Sequence, residues 1–346
     1  MRHANVAVFV PHIGCPHRCS FCDQRAITGQ QKAPTPQDVE DAARAGLRTL
    51  GDAARGAQIA FFGGSFTAIA PDYRRSLLEA AYPFVKSGQY AGIRLSTRPD
   101  AIDGEILDEL RAFGVTAIEL GAQSMDDAVL RQNGRGHTAE ATRAAAQKIR
   151  SAGFSLGLQM MTGLFCDTDA GARRTAEEFA ALLPREVRIY PALVLRGTAL
   201  CDRYARGEYR PQTLEGAVAL CTDLLTFFER RGIAVIRLGL HETPALDASF
   251  VAGPRHPAFG ELCRARQYRL AVERAMRGGR FAEAVAVSPK DLSIAVGQHR
   301  QNEEALREAG HPVRFFPDAA LARGWFALTD ERGRPRRFRA VPGADG

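Results

Sequence analysis

The sequence predicts an α/β fold of parallel strands joined by crossover helices, and three observations predict it. Short apolar runs alternate with amphipathic stretches of helical length over roughly residues 1–238. Six or seven strand–loop–helix units in a chain of 346 residues suit a partial or full (β/α) barrel, followed by a small C-terminal α/β region. Gly, Cys, Gln and Asp recur just after the strands, the end of such sheets that carries the chemistry.

Taken in order, Asn5 to Val10 reads as a buried strand, and the cysteine loop follows it directly. Pro34 and Pro36 punctuate, and a helix over 37–51 ends near Gly51. Gln58 to Phe62 is the second strand, stopped by Gly63-Gly64-Ser65, and 72–85 is helical. Ile93 to Ser96 lies in the third strand, with Thr97-Arg98-Pro99-Asp100 after it. Helix 102–112 leads to a fourth strand, Ala117 to Leu120, then Gly121-Ala122-Gln123-Ser124. Helical pieces over 125–131 and 138–151 precede a fifth strand, Ser155 to Gln159. Helix 168–182, a strand from Glu186 to Tyr190, helix 213–230 and a strand from Ile233 to Arg237 complete the rhythm. Region 239–280 reads as an irregular wall or lid and then a helix over 264–277, with no internal repeat anywhere.

Cys15, Cys19 and Cys22 fall within eight residues, while Cys166, Cys201, Cys221 and Cys263 stand singly. Thiolates this close can ligate one metal centre. Three of them suit a cubane with one iron left open. A structural zinc site takes a fourth ligand, which His12 or His17 can supply. Seven cysteines, clustered at one end, argue against an extracellular disulfide framework. Apolar residues make up 45% of the chain, enough for a sizeable core. Lys and Arg number 46 against 39 Asp and Glu, a net +7 that suits a polyanionic partner without requiring one. The start lacks the long apolar region of a signal peptide. No stretch approaches the roughly twenty apolar residues of a membrane span. The expected location is cytoplasmic.

The CxxxCxxC spacing resembles the signature of the radical S-adenosylmethionine superfamily. Phe61 to Thr67, Thr97 to Asp100, Glu119 to Ser124, Asn133 to Thr138, Gly157 to Leu164 and Ile189 to Leu200 run in order. They resemble the radical domain of the elongator catalytic-subunit family over about residues 5–230. In this sequence the cysteine loop is shorter and no acetyltransferase segment follows. The expectation is therefore a relative that keeps the radical generator and changes the acceptor chemistry.

The resemblance implies that Cys15, Cys19 and Cys22 hold a [4Fe–4S] cluster whose open iron chelates S-adenosylmethionine. It implies that Gly63, Gly64 and Ser65 receive the methionine amino group and that Phe21 packs on adenine. Arg98, Glu119, Gln123 and Gln159 would line the cofactor pocket. It further implies RNA or tRNA as substrate and a low-potential one-electron donor such as flavodoxin or ferredoxin. Beside these stand plainer readings. Arg98 can pair with Asp100 or Glu119, one of Met160 and Met161 faces inward and packs, Tyr190 is half-buried, and His137 lies in a surface loop. A radical enzyme acting on a small metabolite, or a zinc-stabilised RNA-binding protein without catalysis, remain the alternatives.

Residues 281–316 read strand, helix, tight loop, helix, strand, with Ser288 as a cap and Pro289 in the first helical turn. This resembles part of a KH-type RNA-binding module, which implies RNA contacts from Lys290, Gly297, His299 and Arg300 within a small element over 281–320. The remainder, 321–346, reads as a basic tail. Its Arg332, Arg334, Arg336, Arg337 and Arg339 offer either a phosphate footprint or an exposed, frayed end.

Overall fold

In the computed structural model, which describes residues 4–10, 15, 19–24, 27, 29 and 32–340, the predicted strands are present. Two units emerge: Met1–Gln212 with Leu240–Gly253, and Thr213–Gly239 with Pro254–Gly346. In the first unit, β1 (Asn5–Val10), β2 (Gln58–Gly63), β3 (Gly92–Thr97), β4 (Val115–Gln123), β5 (Ser155–Thr162) and β6 (Glu186–Pro191) lie side by side in chain order. Every neighbouring pair is parallel. Among the described residues β1 has β2 as its one strand neighbour, so the barrel is partial rather than closed.

Alternation along the strands sorts two faces. Ile59, Phe61, Ile93, Leu95, Ile118, Leu120, Leu156, Leu158, Val187 and Ile189 are buried on one face. Each contributes about 1.5–3 kcal/mol by leaving water. The intervening positions carry Gln58, Arg94, Glu119, Gln159, Glu186 and Arg188, so the opposite face is polar.

The helices are α1 (Pro36–Leu50), α2 (Pro71–Lys86), α3 (Gly104–Ala112), α4 (Asp127–Gln132), α5 (Ala139–Ser151) and α6 (Asp169–Ala181). Short polar residues start most of them. Thr35 and Asp38 form a reciprocal capping box on α1, and Asp103, Asp126, Thr138 and Thr168 accept first-turn N–H groups. The sequence pattern missed the short helix Ala199–Ala205, capped by Thr198. The stretch expected to be irregular contains helix Pro244–Ser249 and strand Phe250–Ala252, the latter antiparallel to Val194–Leu195.

The second unit holds helices Leu214–Glu229 and Phe259–Arg277, strand Ala234–Leu238 and a four-stranded sheet. That sheet runs Arg314–Pro317, Phe281–Val287, Trp325–Asp330, Pro335–Arg339, parallel in the first pair and antiparallel in the others. Helices Leu292–Val296 and Gln301–Glu308 connect its two parallel strands, the order expected from sequence. Tyr268, Val272, Val285, Val287, Phe315, Phe326 and Leu328 form its core.

Two expectations are corrected here. Ser288 is not a helix cap: its carbonyl accepts the Asp291 N–H at 2.8 Å in a turn, and the helix starts only at Leu292. Residues 335–339 are not a frayed tail but a paired strand. The alternation in Pro-Arg-Arg-Phe-Arg explains it: Phe338 turns inward and stacks on Phe326, ring centroids 5.4 Å apart, while Arg339 covers the Trp325 ring.

Candidate active site at the cysteine loop

The site is built where β1 and β2 end. The Gly64 N–H donates to the Val10 carbonyl at 2.8 Å. Gly63 has φ +116°, and a Cβ there would stand 2.8 Å from the same carbonyl oxygen, so only glycine fits. The Gly-Gly-Ser turn is thereby pressed against the strand end from which the cysteine loop departs. Ser65 is buried, its Oγ 2.9 Å from Thr97 Oγ1 and accepting the Arg98 N–H at 3.2 Å. Its main-chain N–H lies near the Cys15 thiol and favours the ionised form.

Ser20 staples the loop to two other motifs. Its N–H and Oγ donate to Asn133 O and Oδ1 at 3.0 and 2.8 Å, and its carbonyl accepts the Leu200 N–H at 2.7 Å. Phe21 is buried in a cluster with Val129, Leu164, Ala192, Val194, Leu200 and Tyr209. The other two sulfurs accept hydrogen bonds. Arg135 Nη1 donates to Cys19 Sγ at 3.1 Å and Gln24 Nε2 to Cys22 Sγ at 3.5 Å. The sulfurs feel one another. Burial first, then Cys19, pushes the Cys22 thiol up to about 12. Burial and Cys19 raise Cys15 as well, against the pull of Arg98 and Arg135. The Cys22 thiol resists ionisation until a cation balances it, which is what an iron centre provides.

Two buried arginines brace this region. Arg98 donates a bidentate pair of hydrogen bonds to Asp100 (Nε to Oδ1 at 2.9 Å, Nη2 to Oδ2 at 2.8 Å) and one to the Arg135 carbonyl at 2.8 Å. Arg135 also donates to the Gly121 carbonyl. Gln123, at a bulge in β4, has φ +69°. His137 is buried, with Nε2 3.2 Å from the Ala122 carbonyl, so the expectation of a surface histidine is overturned. Burial, then Arg135, lowers its pKa to about 4. Arg98 Nη1, Gln123 Oε1, Arg135 Nε and His137 Nδ1 are buried without a hydrogen-bond partner.

Glu119 and Gln159 lie in a different cluster, on the polar face of the sheet. Glu119 accepts from Arg94 Nη1 at 2.7 Å, from Arg188 Nε and Nη2 at 2.7 and 3.0 Å, and from Gln159 Nε2 at 2.9 Å. Arg94 also pairs with Glu186 and donates to Gln58 Oε1 at 2.9 Å. Burial would raise the Glu119 carboxyl, but Arg188 and Arg94 outweigh it and hold the group below its ordinary value. Gly157 stands opposite Glu119 because a Cβ there would meet the Glu119 side chain. Met160 is buried while Met161 is partly exposed.

In the second unit, Lys290, His299 and Arg300 are exposed. Gly297, His299 and Arg300 all have positive φ, and Arg300 pairs with Glu303. Asn302, buried, anchors that loop by donating to the Ala265, Ile294 and Ala295 carbonyls.

Comparison with known families gives two matches, Radical SAM superfamily over residues 9–179 and Radical_SAM C-terminal domain over residues 184–269. The chain belongs to the radical S-adenosylmethionine superfamily. It is 29% identical to elongator complex protein 3 of Homo sapiens over 304 residues, 81% of this chain and 50% of that protein. It is 27% identical to tRNA uridine(34) acetyltransferase of Methanocaldococcus jannaschii over 256 residues, 63% of this chain and 47% of that one. The chain thus spans about half the length of the curated relatives it matches. The solved structure of Methanocaldococcus infernus Elp3 with an N-terminal deletion shares the fold, with a TM-score of 0.62 at 18% identity, covering 96% of this chain and 75% of that one.

As a radical S-adenosylmethionine enzyme, the protein uses a [4Fe–4S] cluster and S-adenosylmethionine, and the residues present fit both. Cys19 and Cys22 each accept a side-chain hydrogen bond, which suits the sulfurs of a net-negative cluster. The unpartnered Arg98 and Gln123 atoms offer a donor and an acceptor to a ligand bearing carboxylate and amino groups. Among the described residues no three His, Cys, Asp or Glu side chains converge as ligands of a single ion would. Thiolates on three separate irons of a cube need not. His12 and His17 lie outside the described residues. Among the described residues no helix is long and apolar enough to cross a membrane.

Sequence reasoning missed Arg135 and Ser20, although Asn133 to Thr138 had been singled out as a motif. It also missed Arg94, Glu186 and Arg188. The available signal was charge at alternate positions of otherwise apolar strands.

Proposed function

We propose that this radical S-adenosylmethionine enzyme modifies tRNA, working in the cytoplasm with an external low-potential one-electron donor of the flavodoxin or ferredoxin class. The observation that carries the reading is the 27% identity to an archaeal tRNA uridine(34) acetyltransferase across 63% of this chain. The net charge of +7 and the exposed Lys290, His299 and Arg300 support a polyanionic substrate.

Bound together, cluster and S-adenosylmethionine supply a 5′-deoxyadenosyl radical. The chain's residues bind, orient and protect. Cys15, Cys19 and Cys22 ligate iron. The Gly63-Gly64-Ser65 turn brings backbone groups close to the methionine end, and Arg98 and Gln123 hold its polar groups. Phe21, within its apolar cluster, keeps water from the sulfurs on either side. Glu119 and Gln159, saturated by Arg94, Arg188 and Ser96, stiffen the wall behind the pocket. In the second unit, the Gly297–Arg300 turn meets RNA backbone, with Arg300 exchanging Glu303 for phosphate.

The test is anaerobic incubation of reconstituted enzyme with reductant, S-adenosylmethionine and bulk tRNA, followed by nucleoside mass analysis. A nucleoside whose mass changes only when all components are present is expected. Unchanged tRNA, with 5′-deoxyadenosine formed in response to a small metabolite instead, overturns the assignment.

A further inference from the structure

The Arg135 guanidinium is the one charged donor resting on a cluster-ligand sulfur among the described residues. Gln24 offers a neutral amide to Cys22, whereas Arg135 Nη1 meets Cys19 Sγ at 3.1 Å. It is 7% exposed, so its charge is poorly screened. Its position is fixed from two sides. Nη2 donates to the Gly121 carbonyl, and Arg98, itself clamped by Asp100, holds the Arg135 carbonyl at 2.8 Å. Among the described residues no carboxylate is hydrogen-bonded to Arg135, so its charge is left for the sulfur.

We propose that Arg135 is a positioning residue that sets the reduction potential of the cluster through Cys19. The proposal rests on the family assignment and deepens it. One electron enters from the external donor; no bond forms or breaks, no proton moves, and the net charge of the centre falls by one. The added negative charge is delocalised onto the ligand sulfurs. A buried cation that also donates a hydrogen bond to one sulfur stabilises the reduced form over the oxidised form. Arg135 thereby makes the cluster easier to reduce. Because the chain fixes that arginine before any electron arrives, little reorganisation accompanies reduction.

The experiment is an EPR-monitored redox titration of anaerobically reconstituted wild type, Arg135→Gln and Arg135→Lys, with Arg143→Gln on helix α5 as control. Arg135→Gln removes the charge and is expected to lower the reduced-to-oxidised ratio at the wild-type midpoint about tenfold, a shift of about 59 mV to more negative potential for a one-electron couple. Arg135→Lys is expected to fall between, and Arg143→Gln to match wild type. An unchanged midpoint in Arg135→Gln with iron content intact overturns the proposal.

Should Arg135→Gln fail to fold or to retain iron, wild-type protein answers the question. With ¹⁵N-arginine incorporated, electron–nuclear double resonance on the reduced cluster should detect a coupled guanidinium nitrogen. Its absence overturns the proposal. Wild-type protein that binds no iron at all sinks the family assignment instead, so the two failures are distinguishable.

Discussion

Two buried polar clusters of the first unit differ in how completely their groups are satisfied. Around Glu119, two arginines, Arg94 and Arg188, meet two carboxylates, Glu119 and Glu186, with Gln58 and Gln159 closing the remaining bonds. No buried side-chain nitrogen or oxygen there lacks a partner. Around the cysteines, four buried atoms lack one, on Arg98, Gln123, Arg135 and His137, of the seven among the described residues. Buried polar groups are normally bonded because leaving one unpaired costs about 1–3 kcal/mol. A chain that satisfies one cluster and leaves the next open is shaped there for something it does not itself supply. The Glu119 cluster is saturated by the chain itself, and the cluster beside the cysteines is not.

Breaking the site at its ligands should have the largest effect. Alanine at Cys15, Cys19 or Cys22 is expected to abolish formation of 5′-deoxyadenosine and to lower bound iron, read by product analysis and iron determination. Undiminished cleavage in any one variant breaks the account.

Breaking the Glu119 cluster should act on stability instead. Glu119→Gln leaves Arg94 with Glu186 alone and the partly buried Arg188 against a neutral amide, a change of about 3–5 kcal/mol by analogy with other broken buried pairs. Chemical denaturation should register that loss in the protein without cofactor.

His137 tests the open cluster by pH. Burial and then Arg135 lower its pKa to about 4 from an ordinary 6.5. Between those values the unfolded chain binds a proton that the folded chain refuses. Its contribution is therefore present above pH 6.5 and is lost as pH falls towards 4, by up to about 3 kcal/mol. His137→Gln should flatten that part of the stability–pH curve. An unaltered curve would show that the ring titrates normally.

Gln123→Ala should have the smallest effect on stability, under about 1 kcal/mol, because its Oε1 bonds nothing in the folded chain. Its binding of S-adenosylmethionine, measured calorimetrically, should weaken by about tenfold, the value of one lost hydrogen bond. Destabilisation without weaker binding would take Gln123 out of the site.

Much of the first unit was legible in the sequence because parallel strands covered by helices carry near-continuous apolar runs, and glycine and cysteine mark the turns. The three cysteines, the Gly63-Gly64-Ser65 turn and Arg98 all come to one end of the sheet. Arg135 was not legible: a lone arginine in a loop has no periodicity, and its partner Cys19 is 116 residues away. Glu119 was singled out, but its ion pairs depend on Arg94 and Arg188, which lie on two other strands. His137 was read as exposed because loops generally are, and tertiary packing against Ala122 buries it. The C-terminal arginines concealed a strand whose inward signal was Phe338 alone.

The most direct test of the central claim is EPR of the anaerobically reconstituted, reduced protein with and without S-adenosylmethionine, alongside metal analysis. The account predicts about four irons per chain, the content of one [4Fe–4S] cluster, and a cluster signal that changes when S-adenosylmethionine binds the open iron. One zinc without iron, or a cluster signal indifferent to S-adenosylmethionine, would contradict it.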